Sequence, residues 1–345
     1  MYVHSVTLEN VKGFENLKFD LARPDGSYAG WTVFTGDNGA GKSTLLKAIA
    51  IGLVGRDVTR SLQADLRGWI RGEANPPTAS IELEIIRSSD DRLTMKGKSP
   101  GNRIHAKIVI EGGKKDVVIR PDTPAGKQKG YIAPERTIWS NSAEGWFSCG
   151  YGPFRRLFGR SDSAADLMSS PSTSRYATLF LEAASLLHSD KWIRELQYKA
   201  LEDRSRSTPD AVQEQRILDN LLEFLSDAFL PGLTFDRVDS DGVWLKDADG
   251  ILFAWGDMSD GYRPALALLI DIFRNLVETF GPEGLTAPDE QGRLRVVRSG
   301  VVLIDEIDAH LHPGLTPFSV PRAMRVGVVG VGRSPRGRCM AGAEK

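Results

Sequence analysis

Two short stretches of this chain hold residue types whose chemistry belongs together. The first is Gly36-Asp37-Asn38-Gly39-Ala40-Gly41-Lys42-Ser43-Thr44, which fits the spacing G-x-x-x-x-G-K-S/T through Ser43. Glycines at these positions let a backbone wrap a phosphate chain, while the loop N–H groups and the N-terminus of a following helix supply positive potential. Lys42 is expected to reach β- and γ-phosphates, Ser43 to ligate Mg²⁺ and Thr44 to bond an α-phosphate. The second stretch is Val301-Val302-Leu303-Ile304-Asp305-Glu306, four apolar residues followed by two acids. A buried central strand delivers such carboxylates to the C-terminal edge of a sheet, beside a phosphate loop. Asp305 is expected to hold Mg²⁺ through its water shell, and Glu306 to polarise an attacking water. Lys42 and Glu306 are therefore the candidate catalytic residues, with ATP and Mg²⁺ as the implied cofactors.

Three further groups have weaker patterns. Met258-Ser259-Asp260-Gly261-Tyr262-Arg263 precedes an apolar helical stretch. Ser259 and the Gly261 backbone at that helix start can bind a γ-phosphate presented by another subunit, or Ser259 or Asp260 can simply cap the helix. His310 and His312 flank Leu311, but a third metal ligand is missing nearby, which favours a structural or dimer-contact role over a metal pair. Arg155-Arg156 lies in Gly150-Tyr151-Gly152-Pro153-Phe154-Arg155-Arg156-Leu157. It suits phosphate, nucleic acid or a partner chain, or else a solvated basic loop.

The elements that must position these groups follow from hydrophobic periodicity. Val3, Val6, Leu8 and Val11 predict a strand, Leu17-Phe19-Leu21 a second, and Trp31 to Phe34 a third that runs into the glycine loop. Leu45, Leu46, Ala48, Ile49 and Leu53 predict the helix after it. Residues 80–120 read as β again, through Ile81-Leu83-Ile85, Leu93-Met95, Ile104 to Ile110 and Val117-Ile119. From Gly126 to Ser174 the chain reads as loops with short elements. Residues 175–230 read as helical, with one stripe through Tyr176, Leu179, Phe180, Ala183, Leu186 and Leu187 and another through Ile217, Leu218, Leu221, Leu222, Leu225 and Phe229. A β-meander fits Leu233 to Phe253, and a helix fits Pro264 to Thr279. After Gly314 neither periodicity nor capping logic holds, and the chain turns rich in Arg, Gly and Pro. Residues 315–345 are expected to form a disordered or non-native tail, as a frameshifted reading frame or a natural flexible tail would give.

Composition narrows the class. At 345 residues, 41% hydrophobic and 26% charged, the chain has the make-up of a soluble globular protein with ample core. A net charge of −1 gives no whole-chain electrostatic case for nucleic acid or membrane. Cys149 and Cys339 have no metal-ligand spacing, Met1 to Ser5 alternates like a strand and lacks a basic region followed by an apolar run, and the apolar run near Ala265 to Ile272 is too short to span a bilayer. A cytoplasmic location is expected.

Leu8-Glu9-Asn10-Val11-Lys12-Gly13-Phe14, Gly36 to Thr44, Met258 to Arg263 and Val301 to Pro313 together resemble the ATPase heads of SMC, RecF, RecN and the overcoming-lysogenization-defect nucleases. The resemblance covers about residues 1–314. It implies an α/β P-loop NTPase fold, an ABC-ATPase-like head with a mixed β-sheet, an antiparallel β subdomain and a short helical insertion near residues 175–230. In that group the Ser-x-Gly element is the ABC signature and the two acids are Walker B. Two subunits sandwich two ATPs, each site completed by Ser259 and Gly261 of the other subunit. Trp69-Ile70-Arg71-Gly72-Glu73 is similar to the region around the family's Q-loop, although no glutamine stands where that loop needs one and Gln63 is not assigned the role. Asp305 to Pro313 looks most like stand-alone bacterial ATPases, many of them in phage-defence or repair operons, with Asp308 in the D-loop. The family then continues with a helix, a strand and a switch histidine. This chain has no histidine after His312, and an exposed sheet edge is expected where the missing strand should pair.

The functional expectation is an ATP-dependent homodimer that drives DNA repair, recombination or phage defence, with DNA and an effector protein such as a nuclease as partners and no membrane. The alternatives are a transporter-type motor, which the Asn10 to Phe14 opening and the roughly 200 residues between phosphate loop and signature oppose, and a nucleotide-binding remnant without turnover.

Overall fold

The computed structural model describes residues 1–23, 25–28, 30–72, 77–88, 91, 101–113, 117–123, 131–140, 145–153, 167, 170–184, 186, 188–206, 211–228, 232–258, 262–306 and 327–333. Alternating apolar residues build an antiparallel sheet first. Its strands are β1 (Tyr2–Val11), β2 (Phe14–Asp20), β4 (Thr78–Ile86), β5 (Arg103–Gly112) and β6 (Val117–Asp122), hydrogen-bonded in the order β2-β1-β4-β5-β6. Register keeps the apolar positions together: Ile81 opposes Ile108, Leu83 opposes Ala106 and Ile85 opposes Ile104, all buried. A slip by one residue would turn that whole set to solvent.

The second sheet is parallel and has a different composition. β3 (Trp31–Gly36), β14 (Gly327–Arg333), β13 (Val301–Ile304) and β7 (Ser148–Tyr151) pair in the order β3-β14-β13-β7. All four residues of β13 are buried, as expected for a strand covered on both faces. Val301 and Leu303 join the core around α1 (Lys42–Leu62) and the antiparallel sheet, whereas Val302 and Ile304 join the core around α5 (Tyr262–Phe280). The parallel sheet thus separates two hydrophobic cores.

On the first face, α1 is buried along Leu45, Leu46, Ile49 and Leu53. Its Gly52 packs so closely that a Cβ would meet Leu83 Cδ1 at 2.5 Å. α1 kinks at Gly55, whose φ of 78° lies in the left-handed region. The kink receives the Trp139 ring, and Trp139 Nε1 donates to the Gly52 carbonyl at 3.0 Å. α2 (Pro171–Phe180) lies beside α1 and β7. On the other face stand α3 (His188–Arg206), α4 (Ala211–Ala228), α5, the meander β8 (Thr234–Asp239), β9 (Gly242–Lys246) and β10 (Leu252–Ala254), and the hairpin β11 (Thr286–Pro288) with β12 (Leu294–Val296).

Several expectations need correction. The stripe from Tyr176 to Leu187 is not one helix, because α2 ends at Leu181 in extended backbone and Ala183 is exposed. Tyr176, Leu179 and Phe180 belong to one core and Leu186 to the other. α3 follows instead, with Ile193, Leu196 and Ala200 as its narrow apolar face amid charged residues. β7 lies inside the segment read as loops. Within residues 315–345, read as a disordered or non-native tail, Gly327–Arg333 forms β14, and β13 is paired on one side with β14 and on the other with β7. The expected strand at Leu93-Met95 lies outside the described residues.

Candidate functional site

β3 and β13 run parallel with β14 between them, so their C-terminal ends reach the same sheet edge. Two strand spacings separate them, about 10 Å. The glycine loop leaves the end of β3 and the acid pair leaves the end of β13.

The loop turns on two glycines with positive φ, Gly39 at 84° and Gly41 at 90°. Gly41 is the N-cap of α1, and its carbonyl accepts the first helical hydrogen bond from Leu45 N at 2.9 Å. A Cβ on Gly41 would meet Phe14 Cζ at 2.7 Å, whereas one on Gly39 would meet nothing. Lys42 Nζ donates to the carbonyls of Gly36 at 2.7 Å and Asp37 at 2.8 Å. The ammonium is therefore held against its own loop. Asp37 to Ala40 and Ser43 are exposed, and Thr44 is half-buried.

The acids differ from each other. Asp305 is 1% exposed, its backbone N–H donates to Tyr151 O at 2.8 Å, and its Oδ1 accepts from Glu306 N at 3.0 Å. Glu306 has a φ of 45°, and a non-glycine residue in that region carries about 1–3 kcal/mol of strain, a feature that collects at functional sites. Lys47 stands near Asp305. Burial lowers the Lys47 pKa and nearby Lys12 lowers it further, while Asp305 and Glu182 oppose the shift. Nothing in the sequence separates Lys47 from an ordinary solvated helix lysine.

The segment Asn10 to Phe14 is part of the same assembly. Asn10 and Lys12 both adopt positive φ, at 53° and 46°. Lys12 N donates to Trp69 O at 2.8 Å, Arg71 N to Asn10 O at 2.8 Å, and Arg71 Nη1 to Gly13 O at 3.1 Å. The Lys12 ammonium stands 4.7 Å from the Trp69 ring centre. The region compared with a Q-loop is thus tied to this turn, and through Phe14 to Gly41. Gln63 is elsewhere: it caps the far end of α1, and its side chain donates to Asp65 O at 2.7 Å.

A buried polar network joins α5 to the acid strand. Tyr151, whose carbonyl holds Asp305, donates its hydroxyl to Asp271 Oδ2 at 2.9 Å. Asp271 also accepts from Arg274 Nη2 at 2.7 Å and Asn275 Nδ2 at 3.0 Å. Sequence reasoning misses this network because Tyr151 and Asp271 are 120 positions apart. Ser259, Gly261, Arg155, Arg156, Asp308, His310 and His312 lie outside the described residues. Among the described residues no helix is long and apolar enough to cross a membrane, and no group of three or more His, Cys, Asp or Glu side chains stands ready to hold a metal by itself.

A glycine loop between a parallel strand and a helix, with an acid pair ending a strand of the same sheet, defines an α/β P-loop NTPase fold. The chain belongs to the family described as "AAA domain, putative AbiEii toxin, Type IV TA system", which matches residues 31–318. It is similar to the Septu protein PtuA of Bacillus mycoides (strain KBAB4), 24% identical over 320 residues that cover 90% of this chain and 35% of that one. It is also similar to the retron Ec83 probable ATPase of Escherichia coli, 26% identical over 375 residues, 93% of this chain and 65% of that one. A shorter match, 30% identical over 102 residues and 27% of each chain, is to the DNA replication and repair protein RecF of Rickettsia prowazekii (strain Madrid E). The chain thus spans about a third and just under two thirds of the first two relatives' lengths.

Proposed function

We propose that this chain binds ATP with Mg²⁺ at Gly36 to Thr44 and hydrolyses it, working as an ATP-clasped homodimer in DNA repair or phage defence with a partner protein. The observation that carries the reading is the sheet edge itself. The phosphate loop and the acid pair leave strands two spacings apart, with Lys42 poised on the loop carbonyls. In this reading the backbone of Gly36, Asp37, Asn38, Gly39, Ala40 and Gly41 cradles the phosphates, Lys42 moves from its carbonyls to the β- and γ-phosphates, and Thr44 bonds the α-phosphate.

The residues present fit a divalent cation. Asp305 is a buried carboxylate at the sheet edge, and the Ser43 hydroxyl is exposed at the start of α1. Mg²⁺ bound by Ser43 and Asp305 would neutralise charge on the phosphates. Glu306, turned by its left-handed backbone, would orient and deprotonate the attacking water. Ser259 and the Gly261 backbone would complete the site of the opposite subunit. The DNA or defence setting rests on the likeness to RecF and to the retron ATPase.

Glu306→Gln tests the reading directly. It keeps the side-chain shape, so ATP binding should persist while hydrolysis falls by at least about 100-fold, as loss of a general base does. The variant should accumulate as a dimer in ATP, measured by light scattering. A variant that turns over ATP at the parent rate, or stays monomeric in saturating ATP, contradicts the assignment or the clasp respectively.

A further inference from the structure

The nucleotide reading uses Asp305 and Glu306 but gives no role to the buried polar cluster beside their strand. Helix α5 buries Leu266, Leu269, Ile270, Phe273 and Leu276 in the core it shares with Val302 and Ile304 of β13. Apolar burial is non-directional, whereas charged hydrogen bonds need particular atoms at particular angles. Asp271, at the middle of α5, brings such bonds into this core and is itself buried. Its Oδ2 accepts from the Tyr151 hydroxyl at 2.9 Å and from Asn275 Nδ2 at 3.0 Å, and its Oδ1 accepts from Arg274 Nη2 at 2.7 Å. Arg274 and Asn275 belong to α5 itself, so of these three donors it is Tyr151 that reaches the helix from the sheet. Burial and the neighbouring Asp271 push the Tyr151 phenol well above its ordinary pKa, which keeps it a donor.

From Tyr151 a continuous line of hydrogen bonds runs to the acids. Tyr151 ends β7 and is the last residue paired with β13, opposite Ile304. Its carbonyl accepts from Asp305 N at 2.8 Å, and Asp305 Oδ1 accepts in turn from Glu306 N at 3.0 Å. Glu306 thus takes up its left-handed backbone, with φ 45°, at the end of a line that starts on α5. A turn or slide of α5 would move Asp271, and with it residue 151 and both acids. A buried ionic cluster is a weak source of stability, since apolar residues of similar volume often serve as well. What it supplies here is a defined place for the backbone that carries the acids.

We infer that Tyr151 and Asp271 are positioning residues for hydrolysis, which act through the backbone of β7 and set the place of Asp305 and Glu306 from α5. Helix α5 follows directly on Gly261 in the sequence, so the placement of the acids depends on the helix whose start faces the second subunit's ATP in the clasp. The inference rests on the proposed ATPase reading and adds a means by which α5 regulates that site.

The test compares kcat for ATP with the Kd of a fluorescent ATP analogue in the parent, Tyr151→Phe, Asp271→Ala and Val243→Ala, each at a temperature where circular dichroism shows it folded. Val243 is buried in the same core on β9, outside the clamp, so its truncation loosens the core without cutting the line to the acids. Tyr151→Phe keeps the ring and the carbonyl that holds Asp305. It should lower kcat about 10–100-fold, the scale of a misplacement of about 1 Å at a catalytic group, and leave Kd within about twofold. Asp271→Ala strips the acceptor and should lower kcat at least as far; if it does not fold, Tyr151→Phe decides alone. Val243→Ala should keep the parent values of both constants. A parent that turns over ATP beside a Tyr151→Phe or folded Asp271→Ala chain of equal kcat overturns the inference and leaves the ATPase reading standing. An equal loss of kcat in Val243→Ala also overturns it, because the loss then reports core stability alone. A parent with no turnover above Lys42→Ala removes both.

Discussion

Gly41→Ala probes how the phosphate loop is held in shape, because the geometry separates two costs. The native φ of 90° is left-handed, and an alanine there costs about 1–2 kcal/mol. The new Cβ would also stand 2.7 Å from Phe14 Cζ and 3.0 Å from Cε2, an overpacking worth a further 1–3 kcal/mol, roughly. Gly39→Ala supplies the control. Its φ is similar at 84°, but nothing lies within 4 Å of the added carbon, so only the backbone cost of about 1–2 kcal/mol applies. Urea unfolding should therefore order the chains as parent, Gly39→Ala, Gly41→Ala. Replacing Phe14 by Leu in the Gly41→Ala background should recover the second cost and leave the first. Binding should follow the same order, read with a fluorescent ATP analogue, with each 1.4 kcal/mol of loop distortion costing about tenfold in Kd. If Gly41→Ala unfolds within about 0.5 kcal/mol of the parent, the ordinary range for a neutral surface change, and binds the analogue equally well, then neither the left-handed turn nor the Phe14 contact shapes the loop.

Tyr151→Phe removes the hydroxyl that donates to Asp271 but keeps the backbone carbonyl that holds Asp305. It should cost about 1.5–3 kcal/mol in urea unfolding, the range for a hydrogen bond to a charged group, and a loss under about 0.5 kcal/mol would remove the network from the account. Asp271→Asn should cost more, about 3–5 kcal/mol, because it removes the carboxylate charge that faces the buried Arg274 guanidinium at 2.7 Å.

The parts of the molecule that were legible in the sequence share a local cause. The loop from Gly36 to Thr44 announces itself because glycines, lysine and hydroxyls at fixed offsets have one common use, and β13 because four apolar residues precede two acids. The alternation of β4 and β5 and the meander near β8 and β9 follow from a period of two. What escaped depends on distant partners. β7, with Gly150 and Cys149 in it, has too little side-chain contrast to read as a strand until β13 pairs with it. α3 carries so many charges that its apolar face is visible only once β8 and β9 cover it. β14 mixes Gly with Val, and its strand character comes from being seated between β3 and β13. At the candidate site the loop and the acids were legible, but Phe14 against Gly41 and Lys47 beside Asp305 are contacts of the folded chain alone.

The kink of α1 shows how one element serves both ends of the molecule. Its N-terminus presents Lys42 and Ser43 at the glycine loop, and its Gly55 bend receives the Trp139 ring.

The most direct test of the central claim is the steady-state ATPase rate of the chain with Mg²⁺, measured against enzyme concentration, with Lys42→Ala as the blank. The account predicts turnover well above the blank and a specific rate that rises with concentration as dimers form. Turnover indistinguishable from Lys42→Ala at every concentration would contradict it.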